Sequence, residues 1–137
     1  MANYYCTSRT NYFHVTDENK YQEIFSHLNG DEGGIIDFTK KDDDGRLLHG
    51  FGCEGEISYY ENEEDDEPSQ DYMVDCIRQL LPDGECFVYM SAGAEKLRYV
   101  AGWAVIATKS DVRSIDLSDW IYVKAHELGV SNYSAAY

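Results

Sequence analysis

The side chains in this sequence best suited to nucleophilic chemistry are its four histidines and four cysteines. Covalent catalysis needs a nucleophile, a base and an orienting group close together. His49 and Cys53 are the best-spaced pair, because a separation of four residues on a strand places both side chains on one face. Packing of a buried imidazole and a buried thiol explains that spacing equally well. We therefore predict no catalytic residue and no enzymatic activity.

The sequence also matches the known metal-binding and phosphate-binding motifs poorly. Structural zinc sites take four Cys or His ligands at short paired spacings, and none of the cysteines belongs to a Cys-x-x-Cys pair. Asp42 and Asp44 precede Gly45 as in a calcium-binding loop, but Lys40 stands at the first ligand position. The stretch Gly50–Gly55 matches Gly-x-Gly-x-x-Gly, but it is expected between strands and not at a helix start. The sequence predicts no metal and no cofactor.

Carboxylates are the most distinctive chemical feature. The 137 residues include 26 acidic and 11 basic side chains, a formal net charge of −15. Residues 1–68 hold 17 acidic and five basic side chains, a net of −12, whereas residues 69–137 hold nine and six, a net of −3. Such a field repels nucleic acid and anionic membranes and attracts basic protein surfaces. Solubility alone is the simpler explanation of the charge, but its uneven distribution favours a binding surface.

The predicted binding surface combines the carboxylates of a hairpin tip, a glycine-rich bend and an acidic loop, 61–67, with two tyrosines beside the loop as interface anchors. Its residues are Asp42, Asp43, Asp44, Glu54, Glu56, Tyr59, Tyr60, Glu61, Glu63, Glu64, Asp65, Asp66 and Glu67. We expect the hairpin tip and the acidic loop to lie at one end of the sheet. The partner would be a basic protein surface, such as that of a nuclease or another nucleic-acid-binding complex.

Hydrophobic periodicity predicts the elements that position these side chains. Apolar stripes at 21/24/25/28 and 73/76/77/80 predict two helices, and a third is expected over 118–128. Strands are predicted at 11–15, 35–38, 47–52, 56–60, 86–90, 97–108 and 112–116, with 97–108 central and buried on both faces. The expected fold is a single α+β domain, an antiparallel sheet with helices packed mainly on one face.

The two halves of the chain, about 10–60 and 69–116, show the same order of a helix followed by two strands. The helical stripes correspond at an offset of 52 residues, and the following strands at 51 and 50. An internal duplication of a helix-strand-strand unit accounts for this. Chance alignment of amphipathic segments accounts for it equally well.

Targeting and membrane signals are lacking in the sequence itself. The N-terminal residues have no basic region followed by an apolar run, and no stretch approaches the roughly 18 apolar residues of a membrane helix. We expect a protein of the bacterial cytoplasm with reduced thiols and no membrane contact. The sequence contains no basic patch with interleaved aromatic residues, so we expect no direct nucleic-acid binding. The oligomeric state does not follow from the sequence.

Two segments, Ser8–Asp17 (SRTNYFHVTD) and Glu95–Gly102 (EKLRYVAG), resemble small acidic proteins carried by phages and mobile elements. Size and charge are similar to those of anti-restriction and anti-CRISPR proteins, which block nucleases and often imitate DNA. The resemblance implies a non-enzymatic inhibitor that binds a basic nucleic-acid-binding surface of a host defence protein, with DNA mimicry as one route. The alternatives are an immunity or antitoxin-type module that neutralises a basic toxin, and a small-ligand-binding protein or enzyme.

Overall fold

A six-stranded antiparallel sheet forms the centre of the fold. The computed structural model describes residues 4–31, 33–59 and 70–130. Across the sheet the strands follow the order β10 (Val112–Asp116), β9 (Tyr99–Ala107), β8 (Phe87–Glu95), β1 (Tyr5–Thr10), β6 (Phe51–Glu54) and β3 (Ile36–Asp37). Each neighbouring pair is antiparallel. Together with the helices α1 (Glu18–Ser26), α2 (Gln70–Arg78) and α3 (Leu117–Glu127), this confirms the predicted single α+β domain.

Two short ribbons complete the strand pairing. The first joins β2 (Leu28–Gly30) to β7 (Ile57–Tyr59), and the second joins β4 (Lys40–Lys41) to β5 (Leu47–Leu48). The β4–β5 ribbon continues the β3–β6 pair, because the Phe38 N–H donates to the Gly50 carbonyl at 2.7 Å between them. Residues 36–54 therefore form one long interrupted hairpin. Its tip turns at Asp44-Gly45, as predicted, with Gly45 at a φ of 80°.

The core lies on one face of the sheet, beneath α1, α2 and the β2–β7 ribbon. Thr16 and Asp17 are the two cap candidates in the sequence before helix α1, and the cap is Asp17, whose side chain accepts from the Lys20 N–H at 3.1 Å. It ends at Ser26, so Leu28 belongs to β2 and not to the helix as predicted. The helices bury Tyr21, Met73, Val74 and Ile77. These side chains pack in one cluster with Phe51, Phe87, Tyr89 and Val105 of the sheet.

The first strand differs from the prediction. We expected it over 11–15, but it spans Tyr5–Thr10, and 11–15 contributes only an isolated bridge between Phe13 and His49. The inward side chains of this strand are hydroxyls. Ser8 Oγ donates to Ser91 Oγ at 3.1 Å, and Thr10 Oγ1 accepts from the Phe51 N–H at 3.0 Å. A hydropathy pattern does not mark a buried strand of this kind.

The apolar run 97–108 also differs from its predicted place. Strand β9 lies next to the edge strand β10 and is not central. Val105 and Ala107 face the core, but Val100 is 64% exposed and Ile106 46% exposed on the other face. Strand β8 continues to Glu95 where a turn was expected after residue 90. Leu128, predicted as an inward residue of the third helix, instead follows the end of α3 and is 81% exposed.

The two halves occupy different positions in the sheet. Each half does contain a helix followed by two strands that pair with each other, β3 with β6 and β8 with β9. In the first half the later strand, β6, borders β1, whereas in the second half the earlier strand, β8, borders β1. The strand order therefore does not repeat, and the internal duplication stays a prediction.

Candidate functional site: an acidic hairpin held by a histidine

The tip of the long hairpin is organised by Asp42. One carboxylate oxygen, Oδ1, accepts from the main-chain N–H groups of Asp44 at 2.9 Å and Arg46 at 2.8 Å. The other oxygen, Oδ2, accepts from His14 Nε2 at 2.8 Å. Asp42 was predicted to face a partner, but its carboxylate is largely occupied within the protein. Its role in this structure is to close the turn and to dock it.

His14 connects that tip to a second carboxylate. Its Nδ1 lies 3.0 Å from both carboxylate oxygens of Glu85, and its main-chain N–H donates to Glu85 Oε1 at 3.0 Å. Since each ring nitrogen faces a carboxylate, an imidazole with a hydrogen on both nitrogens satisfies every contact. The hydrogen bond to Asp42 raises the pKa of His14, and Glu85 adds to this against the opposing effect of burial. The pKa of Asp42 is lowered, chiefly by His14.

Asp43 and Asp44 are the free carboxylates of the tip. Both are exposed, and within the described residues no lysine or arginine forms an ion pair with either. The neighbouring cation Lys40 instead lies over the ring of Tyr12, 4.2 Å from its centroid. Five other basic side chains pair with acids of the second half of the chain. Those pairs are Arg78–Asp75, Arg98–Glu95, Lys109–Asp83, Arg113–Asp111 and Lys124–Glu127.

The glycine-rich bend forms a second acidic region. Glu54 and Glu56 are exposed on either side of Gly55, which has a φ of 118°. Asp31 joins them, because its Oδ2 accepts from the Glu56 N–H at 2.9 Å. We did not predict Asp31 as part of a site. Its position directly after Asn29-Gly30 is a turn signal, but only the tertiary structure brings it to the bend.

The hairpin tip and the bend lie at opposite ends of the 36–54 hairpin. At about 3.3 Å per strand residue, the eight steps along the chain from Arg46 to Glu54 separate the two regions by about 25 Å. The acidic loop, expected beside the tip, lies outside the described residues. The members of the predicted surface that fall there are Tyr60, Glu61, Glu63, Glu64, Asp65, Asp66 and Glu67.

Tyr59 was predicted as an exposed anchor and belongs to the core instead. Only 8% of it is exposed. Its ring centroid lies 5.2 Å from that of Tyr72 and 5.6 Å from that of His27. Strand β7 alternates buried, half-buried and buried positions from Ile57 to Tyr59. This alternation turns the Tyr59 ring inward, so it is not a surface residue for a partner.

His49 has the surroundings closest to a catalytic arrangement. It is 1% exposed, its Nε2 lies 2.7 Å from Glu18 Oε2, and its Nδ1 lies 3.2 Å from Thr39 Oγ1. A hydroxyl, an imidazole and a carboxylate in series resemble a catalytic triad. However, Thr39 Oγ1 donates at 2.5 Å to Asp37 Oδ1, which also accepts from the Thr39 N–H at 2.8 Å. The hydroxyl hydrogen thus closes a local turn and is not directed to the imidazole.

The thiol predicted to lie beside His49 is not activated. Cys53 is buried, and burial is the main cause that raises the pKa of its thiol. A thiol in this environment stays protonated and is a weak nucleophile. Among the described residues, no group of three or more His, Cys, Asp or Glu side chains is arranged to hold a metal ion. In the same part of the chain, no helix has the length and apolar character to span a membrane.

Comparisons with family models, with curated protein sequences and with solved structures found no match for this chain in any of the three.

Proposed function

We propose that this protein is a non-enzymatic inhibitor that presents carboxylates to a basic, nucleic-acid-binding surface of another protein in the bacterial cytoplasm. The observation that carries the proposal is that four exposed acids form no ion pair within the described residues, although Lys41 and Arg46 flank two of them in sequence. Asp43, Asp44, Glu54 and Glu56 have no lysine or arginine partner within the described residues, whereas five of the six basic side chains of the second half pair with other acids. Unpaired surface charge is available to a partner of opposite sign.

The spacing of these acids favours an extended partner surface. The two acidic regions are about 25 Å apart along the hairpin at the usual rise per strand residue. A duplex presents one charge per about 1.7 Å of its axis, so a cleft that binds DNA carries cations over a comparable length. A protein of net charge −12 in its first half is attracted to such a cleft and competes with nucleic acid there.

The internal contacts support a fixed presentation of the charge. His14 docks the hairpin tip through Asp42, and Asp31 holds the bend through the N–H of Glu56. A pre-ordered surface loses less conformational entropy when it binds than a free loop does. The arrangement around His49 is structural, because its hydroxyl neighbour is bonded to Asp37. These features together favour binding over catalysis.

The test is displacement of labelled duplex DNA from a panel of bacterial nuclease and other DNA-binding complexes. We expect the protein to displace DNA from at least one complex at low salt and less well at high salt, since screening weakens exposed charges. Reversing the tip (Asp43→Lys with Asp44→Lys) or the bend (Glu54→Lys with Glu56→Lys) should weaken displacement by about tenfold or more. A third variant reverses Glu63, Glu64, Asp65 and Asp66 of the acidic loop.

The matched control is Glu23→Lys with Asp71→Lys, which changes the net charge equally at exposed positions on α1 and α2. It is expected to displace DNA like the original protein. Equal losses in the control and in the tip and bend variants would mean that only the total charge matters. Failure to displace DNA from every complex, with tight binding to a basic toxin, would replace the proposal with the antitoxin alternative.

A further inference from the structure

The face of the sheet opposite the core is apolar and largely open over β8, β9 and β10. We call this surface the outer face; it consists of the side chains that alternate with the buried ones. Cross-strand neighbours share a face, and the register aligns Met90 with Ala104 and Ile115, and Ala92 with Gly102. Met90 is 56% exposed, and Val100 and Ile106 extend the surface along β9. Open apolar faces of this kind mark interaction sites in soluble proteins.

A groove crosses the middle of the outer face. Its floor is made of the small residues Ala92, Gly102 and Ala104, and its walls are Met90, Ile115 and Leu117. A Cβ atom placed on Gly102 would have a side-chain atom of Leu117 as its nearest neighbour, so the start of α3 borders the groove. Its volume is about 210 Å³. An apolar cavity of about 150 Å³ accommodates benzene, so this groove has room for one large apolar side chain.

Helix α3 lies beside the groove and buries none of its side chains. Trp120 and Val123 are exposed on it, and Leu128 follows at its end. Isolated helices shorter than about 12–15 residues are marginal in water, and packing of an apolar face supplies most helix stability in proteins. This helix of 11 residues packs one side against the sheet, where Ile121 and Ala125 are half-buried, and its other apolar side chains remain open to a covering surface.

We propose that a second copy of this chain covers the outer face and α3, in a two-fold symmetric dimer. An isologous interface needs a projecting group and a matching recess on the same surface. Trp120 is the projecting group, and the groove is the recess. Leu117 borders the groove and Trp120 lies three residues further along the same helix, so the two features stand side by side. A two-fold axis between them brings each Trp120 into the groove of the other copy.

The available area and charge agree with self-association. Eight large apolar side chains of this surface are 44% to 81% exposed, so the area they present is on the order of the roughly 800 Å² that each partner contributes to a standard interface. They are Met90, Val100, Ile106, Ile115, Leu117, Trp120, Val123 and Leu128. This face also lies in the half of the chain with a net charge of −3. Its cations are neutralised locally, Arg113 by Asp111 and Lys124 by Glu127. Two copies can thus meet here while their acidic regions stay apart.

The experiment is sedimentation velocity with light scattering over a micromolar concentration series. The original chain should have twice the mass of the 15.7 kDa monomer. Met90→Glu places an unpaired charge on the wall of the groove, which should raise the dimer dissociation constant by about tenfold or more. The matched control is Ile36→Glu, because Ile36 is similarly exposed on the edge strand β3, away from the groove. The control should remain dimeric.

Circular dichroism of each variant establishes that it is folded. Trp103 lines the groove and packs on the core, so fluorescence of a Trp103→Phe background reports on Trp120 only after sedimentation shows that this background keeps the mass of the original chain. Burial of Trp120 on dimerisation should shift its emission to the blue with rising concentration, and Met90→Glu should abolish the shift. A monomeric original chain across the whole series would overturn the proposal and leave the outer face to a different protein. A dimer that Met90→Glu does not weaken, or that Ile36→Glu weakens equally, would also overturn it. This test is independent of nucleic-acid displacement.

Discussion

The Nε2 atom of His14 lies 2.8 Å from a carboxylate oxygen of Asp42, and this contact joins the N-terminal segment to the tip of the long hairpin. The opposite ring nitrogen faces Glu85 at 3.0 Å. The same Asp42 side chain closes the turn that carries Asp43 and Asp44. The position of the turn that carries the proposed binding acids therefore depends on the contact between these two side chains.

The first prediction concerns pH. The pKa of His14 is raised above its ordinary 6.5 in the folded protein, so its contribution to the free energy of unfolding is fully present below about pH 6.5 and is lost as the pH rises through the raised value. The pKa of Asp42 is lowered below 3.8, so its contribution is present above that value and is lost as the pH falls further. Urea unfolding of His14→Gln should differ most from the original chain near about pH 5.5, and less near about pH 8.5.

An NMR titration of the His14 ring provides the direct measurement. Asp42→Asn is the matched variant, because it keeps the shape of the side chain and removes its charge. It should bring the pKa of His14 down towards the ordinary value. Titration of His14 below 6.5 in the original chain, or no change in Asp42→Asn, would contradict the prediction.

The second prediction compares two buried tyrosines. The Tyr21 hydroxyl has no hydrogen-bond partner among the described residues, and burial is the main cause that raises its pKa. The Tyr89 hydroxyl accepts from the Ile57 N–H at 3.1 Å. Removing an unpaired buried group removes a desolvation cost, so Tyr21→Phe should stabilise the protein by about 1 kcal/mol. Tyr89→Phe leaves a buried N–H unpaired and should cost about 1–3 kcal/mol.

Both values come from urea unfolding at one pH and one protein concentration. The two variants lose the same atom from the same residue type, so each serves as the control for the other. Equal destabilisation by both would show that Tyr21 has a partner in solution, and the prediction would then be wrong.

The third prediction compares Gly93 of β8 with Gly102 of the neighbouring strand β9. A side chain at Gly93 would collide with the carbonyl oxygen of Tyr5 and would come within 2.6 Å of Cys6 Cα. At Gly102 the nearest atom is Leu117 Cδ2 at 3.7 Å, an ordinary contact. Gly93→Ala should therefore cost about 2 kcal/mol or more, because backbone of β1 must move. Gly102→Ala should change the stability of the monomer, compared with Gly102 in the Met90→Glu background, by less than about 1 kcal/mol, in the stabilising direction.

Thermal unfolding at equal concentration measures both changes, and amide hydrogen exchange in β1 shows whether the strand loosens in Gly93→Ala. Protection of β1 should fall in that variant and stay unchanged in Gly102→Ala. A Gly93→Ala protein with unaltered exchange would mean that β1 and β8 are further apart than this structure places them.

Local features of the fold were predictable from the sequence because their causes are local. The Asp17 cap of α1 depends on a side chain and an N–H three residues away. The turn at Asp44-Gly45 depends on a glycine with positive φ. Strand β10 and the first part of β8 were predicted from runs of β-branched and aromatic residues. Strand β1 was missed, since Ser8 and Thr10 are buried by hydrogen bonds and not by hydropathy.

The candidate site was predicted less completely than the elements that carry it. The exposure of the acidic side chains at 43, 44, 54 and 56 was predictable from the charge density and the turn signals around them. The inward role of Asp42 depends on His14, which lies 28 positions away in the chain. The burial of Tyr59 depends on Tyr72, which lies 13 positions away. Sequence patterns hold no information on which distant side chain completes such a contact.

By itself, the sequence determined the charge of the protein, its unequal division between the two halves and the helix and turn signals, because these are properties of composition and of neighbours along the chain. The tertiary structure alone decided that His14 holds Asp42 against Glu85, that the two acidic regions stand at opposite ends of one hairpin, and that the outer face of β8, β9 and β10 remains open. Each of these results from strand register and packing between residues far apart in the chain, and such contacts form only when the whole sheet assembles.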